Sequence, residues 1–164
     1  MARGQGVSWD LIMDGNKFYT GMDPMLAYKK ALTTWANWIS ASINPRRLLV
    51  LFSTTSLEHG SWSQWNKTNG HECYNERELV QIPGYRPPMP AQVPIVKQIV
   101  KMTRFHVTML DITGLSGYRK DGHPSVYTLD YNGHQRQNPY EVGDCSHWCL
   151  PGMPYTWNEL LWQH

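Results

Sequence analysis

A capped amphipathic segment running straight into an unbroken apolar burst constrains this chain most. Asp23 is a good helix N-cap and Pro24 fits the first helical turn. Tyr28, Ala31, Leu32, Trp35, Trp38 and Ile39 then recur at helical spacing until Asn44-Pro45 ends the run, which predicts a helix over 23–43. Leu48-Leu49-Val50-Leu51-Phe52 follows at once. Because it is continuous rather than alternating, it reads as a strand buried on both faces, as in a parallel sheet. Further on, 93–102 reads as a short helix, 105–112 as a strand and 154–162 as a closing helix with Trp157, Leu160 and Leu161 on one face. Residues 54–92 are punctuated by Gly60, Asn69-Gly70, Pro83-Gly84, Pro87-Pro88 and Pro90, and 114–143 reads as loop. Helix, strand, helix, strand, helix is the order of an α/β fold with a parallel sheet. Two strands are too few to complete such a sheet, so the chain reads as part of a domain.

Composition narrows the partners. With 41% apolar and 17% charged residues, the 164-residue chain is globular in character. A net charge of +2, with basic residues only in short pairs such as Lys29-Lys30, Arg46-Arg47 and Arg119-Lys120, gives no footing for nucleic acid. No apolar run approaches the roughly 20 residues of a spanning helix, the longest being 48–52, and 1–6 has no signal-peptide character. Eight tryptophans and nine tyrosines suit either an aromatic core or a cleft in which sugar rings stack. Asn66-Lys67-Thr68 is an acceptor sequon for N-glycosylation at Asn66.

The densest chemistry lies in Asp144-Cys145-Ser146-His147-Trp148-Cys149-Leu150-Pro151-Gly152. An acid and a histidine three residues apart can meet across one turn. The carboxylate then accepts from one ring nitrogen and leaves the other as a general base. A structural hydrogen-bonded pair is the competing reading of an isolated D-x-x-H. A zinc site from Cys73, Cys145, Cys149, His71 and His147 is disfavoured, because one distant cysteine and a C-x-x-x-C do not make a paired ligand framework. Asp121 and His123 form a second acid–histidine pair. Strand-like neighbours point to opposite faces, so this pair fits substrate binding or loop structure better than a dyad.

With Trp157-Asn158-Glu159-Leu160-Leu161, the 144–152 run resembles the closing signature of the plant trichome-birefringence-like proteins, polysaccharide O-acetyltransferases of the SGNH/GDSL (PC-esterase) type. Three further stretches are similar to that family in the same order: 19–38, containing Tyr19-Thr20-Gly21-Met22-Asp23 and Trp35-Ala36-Asn37-Trp38; 51–59, ending in Leu57-Glu58-His59; and 115–125, Leu115-Ser116-Gly117-Tyr118-Arg119-Lys120-Asp121-Gly122-His123-Pro124-Ser125. The resemblance covers almost the whole chain. It implies that 1–164 is the C-terminal portion of an SGNH/GDSL-like three-layer α/β/α catalytic domain, in the Golgi lumen, with a membrane anchor expected elsewhere in the family's architecture. The implied reaction is acetyl transfer to hydroxyls of a cell-wall polysaccharide such as xylan through an acyl-serine. No metal or bound cofactor is implied; an activated acetyl compound is the co-substrate.

By the same resemblance Asp144 and His147 are the acid and base of a Ser-His-Asp triad, and His59, Arg119, Asp121 and His123 are candidates for substrate binding. The nucleophile of the family sits in a Gly-Asp-Ser motif, which these 164 residues lack. Gly143-Asp144-Cys145 does not replace it, because its aspartate is already the triad acid. The chain also departs from the family at Tyr155, where Asp is usual, at Leu57, where Pro is usual, and near Ser53, where an Arg is favoured. Two rivals therefore stand beside the transferase: an acetyl esterase of the same fold, and a non-catalytic glycan-binding or pseudoenzyme fragment. Three cysteines leave an odd thiol. A Cys145–Cys149 bridge would close a very tight ring around the catalytic loop, whereas Cys73–Cys145 would tie the long loop beside His147. The resemblance assigns Cys149 a partner outside this sequence, so the expectation is Cys73–Cys145 bonded and Cys149 free.

Overall fold

The computed structural model describes residues 11–60, 72–128, 139 and 143–164. They divide into two compact units: one is built from the chain up to Leu51 together with Ala91–Thr108, the other from Phe52–Pro90 and Met109–His164. Asn66 lies outside the described residues.

The first unit opens with a hairpin of β1 (Ile12–Asp14) and β2 (Lys17–Tyr19), paired antiparallel with Asp14 opposite Lys17. Its two-residue turn puts Gly15 at φ 61°, the positive φ that a type II′ turn asks of its first central position. Helix α1 (Pro24–Ser42) begins as its sequence predicts, with the Asp23 carboxylate accepting from the Leu26 N–H at 2.9 Å. Ala27, Leu32, Ala36 and Ile39 form its buried stripe, and the helix packs on α2 (Gln92–Val100), which buries Val93, Val96 and Ile99. Each fully buried aliphatic side chain contributes about 1.5–3 kcal/mol.

Strands β3 (Leu51–Ser53) and β4 (Thr108–Leu110) pair in parallel, with Thr108 N–H donating to the Val50 carbonyl and Thr54 N–H to the Leu110 carbonyl, each at 3.0 Å. A helix between two parallel strands is the α/β arrangement expected. The chain passes between the units inside these strands. Both strands are shorter than the sequence predicts. Leu48 and Leu49 are exposed, because the Arg47 and Leu48 N–H groups turn back onto the Asn44 carbonyl before the ladder starts.

The second unit corrects two further expectations. Ile112 is helical, not the end of a strand: it opens α3 (Ile112–Ser116), and a 3₁₀ turn (Lys120–Gly122) follows where loop was expected. Asp111, the residue before α3, makes no side-chain cap. Instead the buried Thr54 hydroxyl, just past β3, accepts from the Ile112 and Thr113 N–H groups at 3.0 and 3.3 Å. The cap of this short helix thus comes from far away in sequence. Helix α4 (Met153–Leu161) is tied to α3 by the Trp157 indole N–H, which donates to Ser116 Oγ at 3.2 Å. Gly152, at its start, has no room for a side chain: a Cβ there would lie 2.6 Å from the Cys149 carbonyl oxygen.

Candidate acid–base site

All the residues of the site belong to the second unit. Asp144 closes a two-bond antiparallel bridge with Ser125, N–H to carbonyl in both directions at 2.8 and 2.9 Å. Beyond the bridge the chain turns over the Asp144 side chain, whose Oδ1 accepts from the Ser146 and His147 N–H groups at 3.2 and 3.0 Å. Its Oδ2 meets His147 Nδ1 at 2.9 Å. One carboxylate therefore folds the turn with one oxygen and orients the imidazole with the other. Burial pushes the Asp144 carboxyl up, but the two N–H groups and the His147 ring outweigh it and hold the pKa below the usual carboxylate value. With Nδ1–H directed to Asp144, the second nitrogen of His147, Nε2, carries the lone pair of a general base. The His147 side chain is 83% exposed, that of Asp144 only 25%.

Four long-range ties hold this turn. Cys145 is disulfide-bonded to Cys73 across 72 positions. The Cys145 carbonyl accepts from the His59 N–H at 3.0 Å, the His147 carbonyl contacts His123 Nδ1 at 2.6 Å, and the Cys149 N–H donates to the Gly122 carbonyl at 3.0 Å. Cys149 itself is unbridged, and burial, then the nearby Asp144 charge, pushes its thiol pKa up. Trp148 packs into the same region, its ring 4.2 Å from that of His123 and 5.7 Å from that of Trp157.

The four residues expected to bind substrate are placed differently. His59 and His123 are buried, 1% and 7% exposed, and face each other with Nδ1 to Nε2 at 2.7 Å. In this arrangement both rings pack as internal supports of the turn rather than facing solvent. Asp121 likewise does not pair with His123. It clamps Arg119 through two bonds of 2.8 and 3.0 Å, which keeps its carboxyl low in spite of burial. Arg119 retains 35% side-chain exposure. Neighbouring Lys120 is buried in an ion pair with Glu76, beside a polar cavity of about 580 Å³ lined by Asn75, Glu76, Arg77, Glu78 and Lys120 that includes neither Asp144 nor His147. Sequence reasoning missed the partner role of Ser125, a non-glycine residue at φ 52° whose main chain pairs with Asp144. The only signal for it is its place at the end of the 115–125 stretch.

Residues 2–164 match the PC-esterase family, a GDSL/SGNH-like acyl-esterase family found in Pmr5 and Cas1p. The chain belongs to this family. Among curated relatives, it is 38% identical over 160 residues to trichome birefringence-like protein 36 of Arabidopsis thaliana, covering 94% of this chain and 39% of that protein. It is 39% identical over 154 residues to the trichome birefringence protein of the same plant, covering 93% and 25% of the two chains. With trichome birefringence-like protein 42 it shares 40% identity over 160 residues, covering 97% and 42%. The chain thus spans less than half the length of these PC-esterase relatives. Its helices and the parallel β3–β4 pair agree with an SGNH/GDSL-like α/β fold. No helix among the described residues is long and apolar enough to cross a membrane.

Proposed function

We propose that this chain carries the acid–base side of an acyl-transfer site, in an O-acetyltransferase that acts on hydroxyls of a xylan-like plant cell-wall polysaccharide. The observation that supports this reading is the 2.9 Å contact between His147 Nδ1 and Asp144 Oδ2 on a braced, exposed turn. In the proposed reaction a serine hydroxyl, supplied by sequence outside these 164 residues, attacks the acetyl carbonyl of an activated donor. His147 Nε2 takes the serine proton and returns it to the departing donor group. The acetyl-serine is then attacked by a sugar hydroxyl, whose proton passes through His147 back to the serine. Asp144 holds the ring and stabilises the imidazolium without being protonated itself. No metal or bound cofactor enters this scheme. A Golgi-lumenal setting is part of the proposal, and the Cys73–Cys145 disulfide supports an oxidising compartment.

A second reading, a polysaccharide acetyl esterase with water as acceptor, is favoured by the family's description as acyl-esterases. A third, a non-catalytic glycan-binding fragment, is favoured by the absence of Gly-Asp-Ser from the sequence. The test is to assay the 164-residue chain beside a longer product of the same gene that includes a Gly-Asp-Ser segment. Substrates are an acetyl donor and a deacetylated xylan oligosaccharide. Acetylated oligosaccharide from the longer product alone, falling about 10³–10⁴-fold on Asp144→Asn, is expected. Free acetate without acetylated sugar would make it an esterase. Activity indifferent to Asp144→Asn and His147→Ala would defeat the assignment.

A further inference from the structure

Behind the acid–base turn lies a pair of buried histidines whose contacts do not balance in the neutral state. His123 Nδ1 faces the His147 main-chain carbonyl at 2.6 Å, and His59 Nε2 faces the Gly117 carbonyl at 3.1 Å. A carbonyl oxygen only accepts, so both of these ring nitrogens carry hydrogen. The remaining nitrogens, His59 Nδ1 and His123 Nε2, face each other at 2.7 Å. In two neutral imidazoles each of these would be a bare lone pair, and a hydrogen-bond distance would instead be a repulsion. One additional proton satisfies all three contacts at once. We infer that His59 and His123 take up a single shared proton, and that this protonated pair is the positioning device that clamps the His147 carbonyl and with it the acid–base turn.

The surroundings admit one charge and resist two. The His123 ring lies against the face of Trp148, with centroids 4.2 Å apart and planes 37° from parallel, and His59 meets the same indole edge-on at 6.1 Å. An aromatic face stabilises a cation placed over it. The charged groups around the pair are Asp144, Asp121 and Glu58, which favour protonation of His123, Asp121 also favouring that of His59, and Lys120, which opposes protonation of His59. Burial opposes charge on both rings, and a second proton would place two imidazolium rings in contact. The pair therefore titrates as one unit with a single proton rather than as two independent histidines. On deprotonation one of the three contacts must be given up. If it is the one to His147, the turn loses a tie immediately beside the base.

Nuclear magnetic resonance of the ¹⁵N-histidine-labelled full chain, followed from about pH 8 to about pH 4, tests this without needing activity. The expected spectra show His59 and His123 responding at one common midpoint as one proton enters. His123 Nδ1 and His59 Nε2 stay protonated below it, and the His147 signals shift at the same midpoint. His59→Gln removes the sharing partner but leaves His123 beside the His147 carbonyl, and should abolish that shared midpoint in the His147 signals. Two separate midpoints with one proton each, or two rings neutral throughout, would overturn the inference, as would a His147 response unchanged in a folded His59→Gln protein. Should that variant not fold, the wild-type titration alone decides.

Discussion

Replacing both bridged cysteines, in a Cys149→Ser background that prevents thiol exchange, measures how much the Cys73–Cys145 link restrains the unfolded chain. The two residues are 72 positions apart, and both lie in the second unit. A cross-link closing a loop of that length removes enough chain entropy from the unfolded ensemble to stabilise the fold by about 4 kcal/mol in the loop-closure description. For a chain of 164 residues this corresponds to a melting temperature lower by roughly 8–16 °C. Thermal melts by circular dichroism on Cys73→Ala/Cys145→Ala/Cys149→Ser, against Cys149→Ser alone, provide the comparison. Reduction of the Cys149→Ser protein should reproduce the same loss, since Cys149 is not part of the bridge. A shift of only a degree or two, by either route, would mean that 73 and 145 are already held together in the unfolded chain, and the entropic argument would be wrong.

Acid should destabilise the protein before its carboxylates titrate. The buried His59–His123 pair takes up one proton where the unfolded chain binds one on each ring; burial, which pushes the pKa of His59 from 6.5 down to about 4, makes the folded state refuse the second. Stability is complete above 6.5 and falls by about 3 kcal/mol as pH drops from there to 4; denaturant melts should show His59→Asn losing most of that dependence, and an unchanged slope would count against the burial argument. Asp121 and Asp144, held below 3.8, add their losses only at still lower pH. Gly117→Ala should cost about 1–3 kcal/mol, because a Cβ there would lie 2.3 Å from Pro87 Cβ and 2.7 Å from Leu57 Cδ1; a chemical melt matching wild type would show that Pro87 yields freely.

What could be read from the residues was what neighbouring residues decide. The extent of helix α1 is legible because its cap and its proline lie within its own stretch, but of the apolar positions expected on its face only Leu32 and Ile39 belong to the buried stripe, and Trp38 is exposed. The Asp144–His147 contact is legible for the same reason, being made across a single turn. Helix α3 is not: it contains a glycine and two threonines or serines, and its cap is the Thr54 hydroxyl, 58 positions upstream. The β1–β2 hairpin carried a readable signal in Gly15-Asn16, but Met13 and Phe18 are both exposed, so the strands lack the one-sided apolar alternation that marks a hairpin. His59 and His123 stood inside stretches that resemble the family, yet their partners are main-chain carbonyls and each other. Side-chain identity says nothing about which carbonyl will be near, so their support role became visible only in three dimensions.

Acid and base here ride on one short arm of backbone. In a triad assembled from distant segments, a small shift of one element misaligns acid from base. Asp144 and His147, joined through a turn that the aspartate itself folds, travel as a rigid couple. Their mutual alignment is therefore insensitive to substitutions in the surrounding frame, whereas their aim is not: the Ser125 bridge and the ties at Cys145, His147 and Cys149 decide where Nε2 points. On the acetyl-transfer reading proposed above, substitution at those anchor points redirects Nε2 toward a differently placed hydroxyl, and a lineage changes its acceptor position by editing the mounting rather than the instrument.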